Sequence, residues 1–154
     1  MITGDNYLTA CQVSKDLGMI DRPILVLQEN GTWKGLDEDI SHNSKISDLL
    51  DNYDFCVTGN SFNAFINDKH KADYVSHVKV FARVSPDQKE KILSTLKNLG
   101  KTTLMCGDGT NDVGALKQAH IGVALLNQPI DISNTSKPPN PQTVLSNTLR
   151  VQIH

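Results

Sequence analysis

Cysteine is scarce in this chain of 154 residues, which has three: Cys11, Cys56 and Cys106. An odd number without a C-x-x-C spacing disfavours both a disulfide framework and a zinc site, and it fits a reducing, cytosolic setting. The five histidines are scattered and show no metal-ligand spacing. The cysteines and histidines therefore give no indication of a function.

An excess of one charge and a long apolar run are also missing. The net charge is −2, so there is no electrostatic footprint for nucleic acid or for an anionic membrane surface. No apolar run approaches the length that spans a bilayer, and no signal peptide opens the chain. With 38% hydrophobic residues over this length, the sequence predicts one soluble globular domain with a core.

The most informative stretch covers residues 104–126. A short apolar run leads to Asp108 between two glycines, then to Asn111 and Asp112 at a helix start, then to a second apolar run. This order predicts a buried strand whose carboxyl end carries Asp108, the place where open α/β sheets hold ligands. Asp108 and Asp112 suit Mg²⁺, which takes oxygen ligands. The alternative is a turn in which both aspartates only cap and solubilise.

The complete run G-D-G-T-N-D-V-G-A-L is more specific than its parts. It resembles the hinge signature of P-type ATPases, members of the haloacid-dehalogenase superfamily. Gly114 stands where most of these pumps have proline, and that version resembles the fifth class. Met105-Cys106 before it resembles the A subgroup of that class. The resemblance implies a three-layer, Rossmann-like α/β fold of the dehalogenase type over residues 1–126.

A second motif lies at Thr3-Gly4-Asp5. A hydroxyl and exposed amides at a strand-to-helix junction suit an oxyanion, although T-G-D is also an ordinary turn and cap. The run continues to Ala10 in the pattern T-G-D-x-x-x-T-A, which resembles the second superfamily motif. That resemblance implies that Thr3 contacts a phosphoryl group and that Gly4 and Asp5 lie on the nucleotide side.

A third motif surrounds Lys89. Ser85 as N-cap, Pro86 and Gln88 form a capping box at the start of a helix, whose apolar face the sequence predicts at Ile92, Leu93, Leu96 and Leu99. Lys89 in the first turn opposes the helix dipole, so it is either a solvated surface lysine or a site residue. F-A-R-V-S-P-D-Q-K resembles the third superfamily motif, in which the lysine neutralises the phosphoryl group.

Other segments are predicted from local patterns. Strands are expected at 24–27, with a hairpin return at Thr32-Trp33, and at 55–59, 78–82, 102–106 and 121–126. Helices are expected from Asn6 to Leu17, with Ala10, Val13 and Leu17 inward, and at 61–71 with Phe62, Phe65 and Ile66 inward. Residues 35–47 are expected to form an exposed acidic loop. Asp37 and Asp39 in it imitate the D-x-D nucleophile motif, but no buried strand precedes them.

Two further features limit the functional interpretation. No D-K-T-G, the motif with the phosphorylated aspartate of these pumps, occurs in the chain. The sequence is therefore interpreted as a fragment of the phosphorylation domain that lacks the nucleophile strand and is inactive alone. Residues 127–154 are rich in Ser, Thr, Asn and Pro, and are predicted to be a disordered linker.

The resemblance implies an ATP- and Mg²⁺-dependent pump that works through an aspartyl-phosphate. In it Asp108 and Asp112 bind the metal, Lys89 and Thr3 contact phosphoryl oxygens, and Asn111 hydrogen-bonds them. Its expected partners are ATP, the nucleotide-binding, actuator and membrane domains of the same polypeptide, and a misinserted transmembrane helix at the endoplasmic reticulum. The alternatives are a stand-alone phosphatase that uses Asp37, and a non-catalytic remnant.

Overall fold

The computed structural model describes residues 1–108, 110–125 and 149–153 of the chain. These residues form helices and strands in two compact units, residues 1–88 and residues 89–154. The fold is mixed α/β and compatible with a Rossmann-like domain, with two separate sheets in the described ranges. No helix in the described part of the chain is both long and apolar enough to cross a membrane.

The first unit is built on a five-stranded sheet. Its strands are β1 (Ile24–Leu27), β2 (Trp33–Gly35), β3 (Ser41–His42), β4 (Asp54–Thr58) and β5 (Val78–Ala82), in the spatial order β3-β2-β1-β4-β5. The β1-β4-β5 part is parallel, whereas β2 returns antiparallel to β1 and β3 to β2. Ile2 bridges in parallel to Phe81 at the outer side of β5. The predicted strands at 24–27, 55–59 and 78–82 and the hairpin are therefore confirmed, while β3 lies inside the segment expected to be a loop.

Both faces of this sheet are covered, because successive strand residues alternate between two cores. One core packs Ile24, Val26, Cys56, Val80 and Ala82 against Ala10 and Cys11 of helix α1 (Tyr7–Asp16). The other is aromatic: the Trp33 ring lies 4.9 Å from Phe55 and 6.5 Å from Phe65, and Phe62 lies 6.3 Å from Phe81. Phe62, Phe65 and Ile66 belong to helix α3 (Gly59–Asn67) and are buried, as the sequence predicted. Two short helices, α2 (Ile46–Leu49) and α4 (Lys69–Ala72), complete the unit.

The inward face predicted for α1 is wrong in part. Asn6 caps the helix as expected, since its side chain accepts a hydrogen bond from the Leu8 amide at 3.0 Å, and Gly18 follows at φ 67°. Ala10 is buried, but Val13 is 41% exposed and Leu17 65% exposed. Small residues, Cys11 and Ser14, fill the buried face instead, because a helix close to a sheet has little room for larger side chains.

Helix α5 (Pro86–Asn98) begins in the first unit and continues into the second. The predicted capping box is confirmed: the Gln88 amide donates to Ser85 Oγ at 3.3 Å, and the Ser85 amide donates to Gln88 Oε1 at 3.0 Å. Ile92 and Leu93 are buried, and the helix is followed by Gly100 at φ 73°.

The second unit has a three-stranded sheet in the order β6-β7-β8. Strand β6 (Leu104–Gly107) is parallel to β7 (Ile121–Leu125), which is antiparallel to β8 (Leu149–Ile153). Helix α6 (Val113–Gln118) connects β6 to β7 after one 3₁₀ turn, Thr110–Asp112. The linker predicted over 127–154 does not extend to the five residues of β8. Residues 126–148 and 154 lie outside the described part of the chain, so for them it stays a prediction.

Candidate phosphate and metal site

The turn after β6 carries the acidic residues that the sequence singled out. Strand β6 ends at Gly107, where Gly107 pairs with Ala124, and Asp108 follows it as an exposed residue. Asn111 is also exposed, whereas Asp112 is buried at the N-cap of α6. The chain therefore exposes one carboxylate and one amide at the carboxyl end of a parallel strand, and holds the second carboxylate inside. Gly109 lies outside the described residues.

Lys89 is bound to the buried member of this pair. Its ammonium Nζ donates to Asp112 Oδ1 at 2.7 Å, and the two side chains are only 12% and 10% exposed. A solvated surface lysine would not be held in this way, because a partly buried ion pair forms only where each charge offsets the desolvation of the other. Lys89 is therefore not a solvated surface lysine, and its role as a site residue stays a prediction.

Gly107 is required by the position of Asp112. A Cβ atom at residue 107 would lie 2.6 Å from Asp112 Oδ2 and 2.7 Å from its Cβ. The carboxylate of Asp112 is thus seated directly against the backbone at the end of β6. Any side chain at position 107 would displace this carboxylate, which is the partner of Lys89.

The donor set of this turn fits Mg²⁺ better than a softer ion. Asp108 and Asp112 supply carboxylate oxygens, and among the described residues no group of three or more His, Cys, Asp or Glu side chains is placed to hold a metal. Mg²⁺ is commonly held by one or two carboxylates together with water and phosphate oxygens. Since Oδ1 of Asp112 already accepts from Lys89, Asp108 is the more accessible ligand. The assignment of both aspartates to the metal stays a prediction.

The Thr3-Gly4-Asp5 motif lies in the first unit, just before helix α1. The Asp5 amide donates to Thr3 Oγ1 at 3.1 Å, so the threonine hydroxyl closes the turn on which it stands. The turn is tied to the end of β5, because Thr3 O accepts from the Val84 amide at 3.2 Å and Asp5 O from the Arg83 amide at 3.0 Å. Gly4 and Asp5 are exposed. That Thr3 meets Lys89 and Asp108 at one rim stays a prediction.

The two aspartates of the acidic loop lack the surroundings expected for a nucleophile, which would follow a buried parallel strand. Asp37 and Asp39 are exposed between antiparallel β2 and β3, and the Asp37 carboxylate pairs with Lys15. They do not follow a buried parallel strand, in agreement with the rejection of this motif from the sequence.

Sequence reasoning missed one contact beside the site. Gln88 was predicted only as a capping residue, yet its Nε2 also donates to the Gly59 carbonyl at 2.9 Å. The available signal was Gly59, directly after strand β4, since a glycine there can mark a close backbone approach.

Comparison with known proteins agrees with the motifs. No family model matches the chain. An endoplasmic reticulum transmembrane helix translocase of Schizosaccharomyces pombe is 51% identical over 138 residues, which cover 82% of this chain and 11% of that protein. The probable manganese-transporting ATPase PDR2 of Arabidopsis thaliana is 47% identical over 147 residues, 89% of this chain and 12% of that protein. A polyamine-transporting ATPase 13A3 of Macaca fascicularis is 35% identical over 174 residues, 91% of this chain and 14% of that protein.

The chain is therefore homologous to P-type ATPases. Within that class its relatives are the fifth-class ATPases, among them the endoplasmic reticulum translocases, as the sequence predicted. The chain spans only about a tenth of the length of the curated relatives it matches, 11% to 14%.

Proposed function

We propose that this chain forms part of the cytosolic catalytic domain of a P-type ATPase, where it holds Mg²⁺ and the phosphoryl group. The observation that carries the proposal is the ion pair of Lys89 with Asp112, 2.7 Å long and largely buried, next to exposed Asp108. A cation and two carboxylates at the carboxyl end of a strand can balance the charge of a metal-bound phosphate.

Each residue has a distinct role in this proposal. Asp108 binds Mg²⁺, and Asp112 supports the metal while it orients the Lys89 ammonium. Lys89 and Thr3 contact phosphoryl oxygens, and Asn111 donates a hydrogen bond to them, whereas Gly4 and Asp5 lie on the nucleotide side. When bound, Mg²⁺ would neutralise developing charge on the transferred group.

The rest of the reaction belongs to the parent protein. Its nucleophile would be an aspartate in a D-K-T-G motif, which this chain lacks, and ATP would be the phosphoryl donor. Covalent capture on a carboxylate divides the transfer into two easier steps. Names of relatives favour a translocase of the endoplasmic reticulum with a transmembrane helix as substrate. Alone, the chain is proposed to be inactive and to bind Mg²⁺ weakly.

A titration of the chain with Mg²⁺, followed by carbonyl and amide NMR, tests the metal site. Shifts should concentrate at residues 107–112, in the millimolar range, and Asp108→Asn should abolish them. Asp39→Asn is the matched control, because Asp39 is an exposed aspartate outside the turn. Inorganic phosphate added with Mg²⁺ should then perturb Lys89. Equal Mg²⁺ responses in the wild type and Asp108→Asn would refute the site.

The same preparation distinguishes the alternative enzyme. A stand-alone phosphatase would hydrolyse p-nitrophenyl phosphate and lose that activity in Asp37→Asn. The exposed position of Asp37 and its pairing with Lys15 lead us to expect no turnover in either variant.

A further inference from the structure

The start of helix α5 is held by more than its own cap. Gln88 uses both ends of its side-chain amide: Oε1 accepts from the Ser85 amide at 3.0 Å, and Nε2 donates to the Gly59 carbonyl at 2.9 Å. The first bond is an ordinary capping contact. The second links the first turn of α5 to the first residue of α3, which lies 29 positions earlier in the sequence. This second hydrogen bond is not part of a capping box, so helix capping does not account for it.

Gly59 permits that link because it has no side chain. A Cβ at this position would lie 2.1 Å from the carbonyl oxygen of Arg83 and 3.0 Å from Gln88 Oε1. The obstacle is backbone, so no rotamer change could relieve it. Arg83 itself has φ 52°, the left-handed region that non-glycine residues seldom occupy. The surrounding contacts must therefore stabilise this conformation.

The strained Arg83 turn contacts one of the proposed phosphate motifs, Thr3-Gly4-Asp5, and leads directly into the helix that contains the other, at Lys89. Its amide holds Asp5 and the next amide holds Thr3, while α5 begins three residues later and places Lys89 in its first turn. If that turn frays, Lys89 loses the helical backbone that directs its side chain to Asp112. A lysine on a frayed turn is drawn towards water.

We infer that Gly59 and Gln88 are positioning residues for Lys89: the hydrogen bond between them fixes the Arg83 turn and the first turn of α5, and so keeps the lysine on Asp112. The inference rests on the proposed function for its catalytic meaning. Its structural content can be tested without Mg²⁺ or phosphate.

The test is acylation of lysines in the folded chain by acetic anhydride at low ratio, read by mass spectrometry. The ratio of the Lys89 rate to the Lys91 rate is the measurement, since Lys91 is exposed in the same helix and reports any general loosening. Gln88→Glu keeps the capping acceptor but removes the donor to Gly59. The Lys89/Lys91 ratio should rise about 3- to 10-fold, the population change expected for one net hydrogen bond. Ser85→Asp adds the same charge and keeps a good cap, so its ratio should not change.

Gly59→Ala should raise the ratio at least as much, and if that variant does not fold, Gln88→Glu still decides. An unchanged ratio in Gln88→Glu would overturn the inference, as would equal rises in Gln88→Glu and Ser85→Asp. Failure of the proposed function has a different signature: no response of residues 107–112 to Mg²⁺ in a chain whose Lys89 is protected as described.

Discussion

The two units bury their sheets to different extents. In the first unit all four residues of β1 and the first four of β4 are buried, because α1 covers one face and aromatic side chains cover the other. In the second unit β6 alternates, with Met105 buried while Leu104 is 62% exposed and Cys106 is exposed. A parallel strand with apolar residues on an uncovered face is unusual. As far as the described residues go, the first unit has a sheet covered on both faces, and the second unit, which holds the Asp108 turn, does not.

The difference indicates which part of the chain can support itself. Among the strands that the structure describes, β6 lies at the edge of its sheet, and an edge with exposed apolar residues is prone to pair with other chains. That a strand is missing from this fold stays a prediction. The charged residues of the candidate site, Lys89, Asp108 and Asp112, therefore lie in the less well covered unit.

The largest expected effect is in the aromatic core of the first unit. Phe65→Ala should lower the free energy of unfolding by about 3–5 kcal/mol, because it leaves a cavity beside Trp33. Trp33 is the only tryptophan, so its fluorescence follows denaturant unfolding of this unit directly. Leu104→Ala in β6 is the comparison and should change stability by less than about 0.5 kcal/mol. Equal losses in the two variants would remove the contrast between the units.

The next effect compares one ion pair from each unit, Lys89 with Asp112 and Lys15 with Asp37. Lys89→Met should cost about 3 kcal/mol, since it leaves the Asp112 carboxylate largely buried without its cation. Lys15→Met removes the exposed pair with Asp37, whose side chain is 61% exposed, and should cost at most about 1 kcal/mol. Circular dichroism is combined with hydrogen exchange of the β6 and β7 amides for Lys89→Met and of the β1 and β2 amides for Lys15→Met, so that each unit is followed by its own strands. A loss of stability from Lys15→Met as large as that from Lys89→Met would show that burial does not determine how much each ion pair contributes.

Much of this architecture could be predicted from local patterns. Strands β1, β4, β5 and β7, the hairpin at Trp33 and the capping box at Ser85 were predictable, because apolar runs and turn chemistry act over a few residues. The helix at 86–98 was predictable for the same reason. Fragment status and the nucleotide-side role of Asp5 came from family resemblance and remain predictions.

What could not be predicted depends on contacts between distant residues. The inward face of α1 was misjudged because the closeness of the helix to the sheet, rather than hydrophobicity, selected Cys11 and Ser14 over Val13 and Leu17. Strand β3 carries no strong strand pattern and exists through pairing with β2. Strand β8 does alternate apolar and polar residues, LRVQI, but the polar composition of the stretch around it led to the linker prediction. The Gly59–Gln88 contact spans 29 residues, beyond the reach of any periodicity.

A moderate pH effect is expected in the first unit. Burial lowers the pKa of the Met1 amino group below its ordinary value of 8.0, where the ammonium donates to the Lys79 carbonyl at 2.6 Å. The unfolded chain therefore binds this proton at pH values where the folded chain has released it, so stability should rise with pH up to about 8 and then level. Denaturant midpoints between about pH 6 and pH 8.5, compared with an N-terminally acetylated chain, isolate the group. An acetylated chain with the same pH dependence would contradict the assignment.

The smallest effect on stability, and the sharpest on reactivity, is expected at the cysteines. Cys11 and Cys56 are fully buried in the first unit, whereas Cys106 is exposed on β6. The hydrogen bond with Cys11, together with burial, raises the pKa of the Cys56 thiol, which keeps it protonated and unreactive. A maleimide should therefore label one cysteine per folded chain and all three after unfolding, as counted by mass spectrometry, and labelled Cys106 should cost less than about 0.5 kcal/mol. Cys106→Ser removes the native label and serves as the control. Rapid labelling of Cys56 in the folded Cys106→Ser chain would mean that the first unit opens as readily as the second, and the contrast between them would be lost.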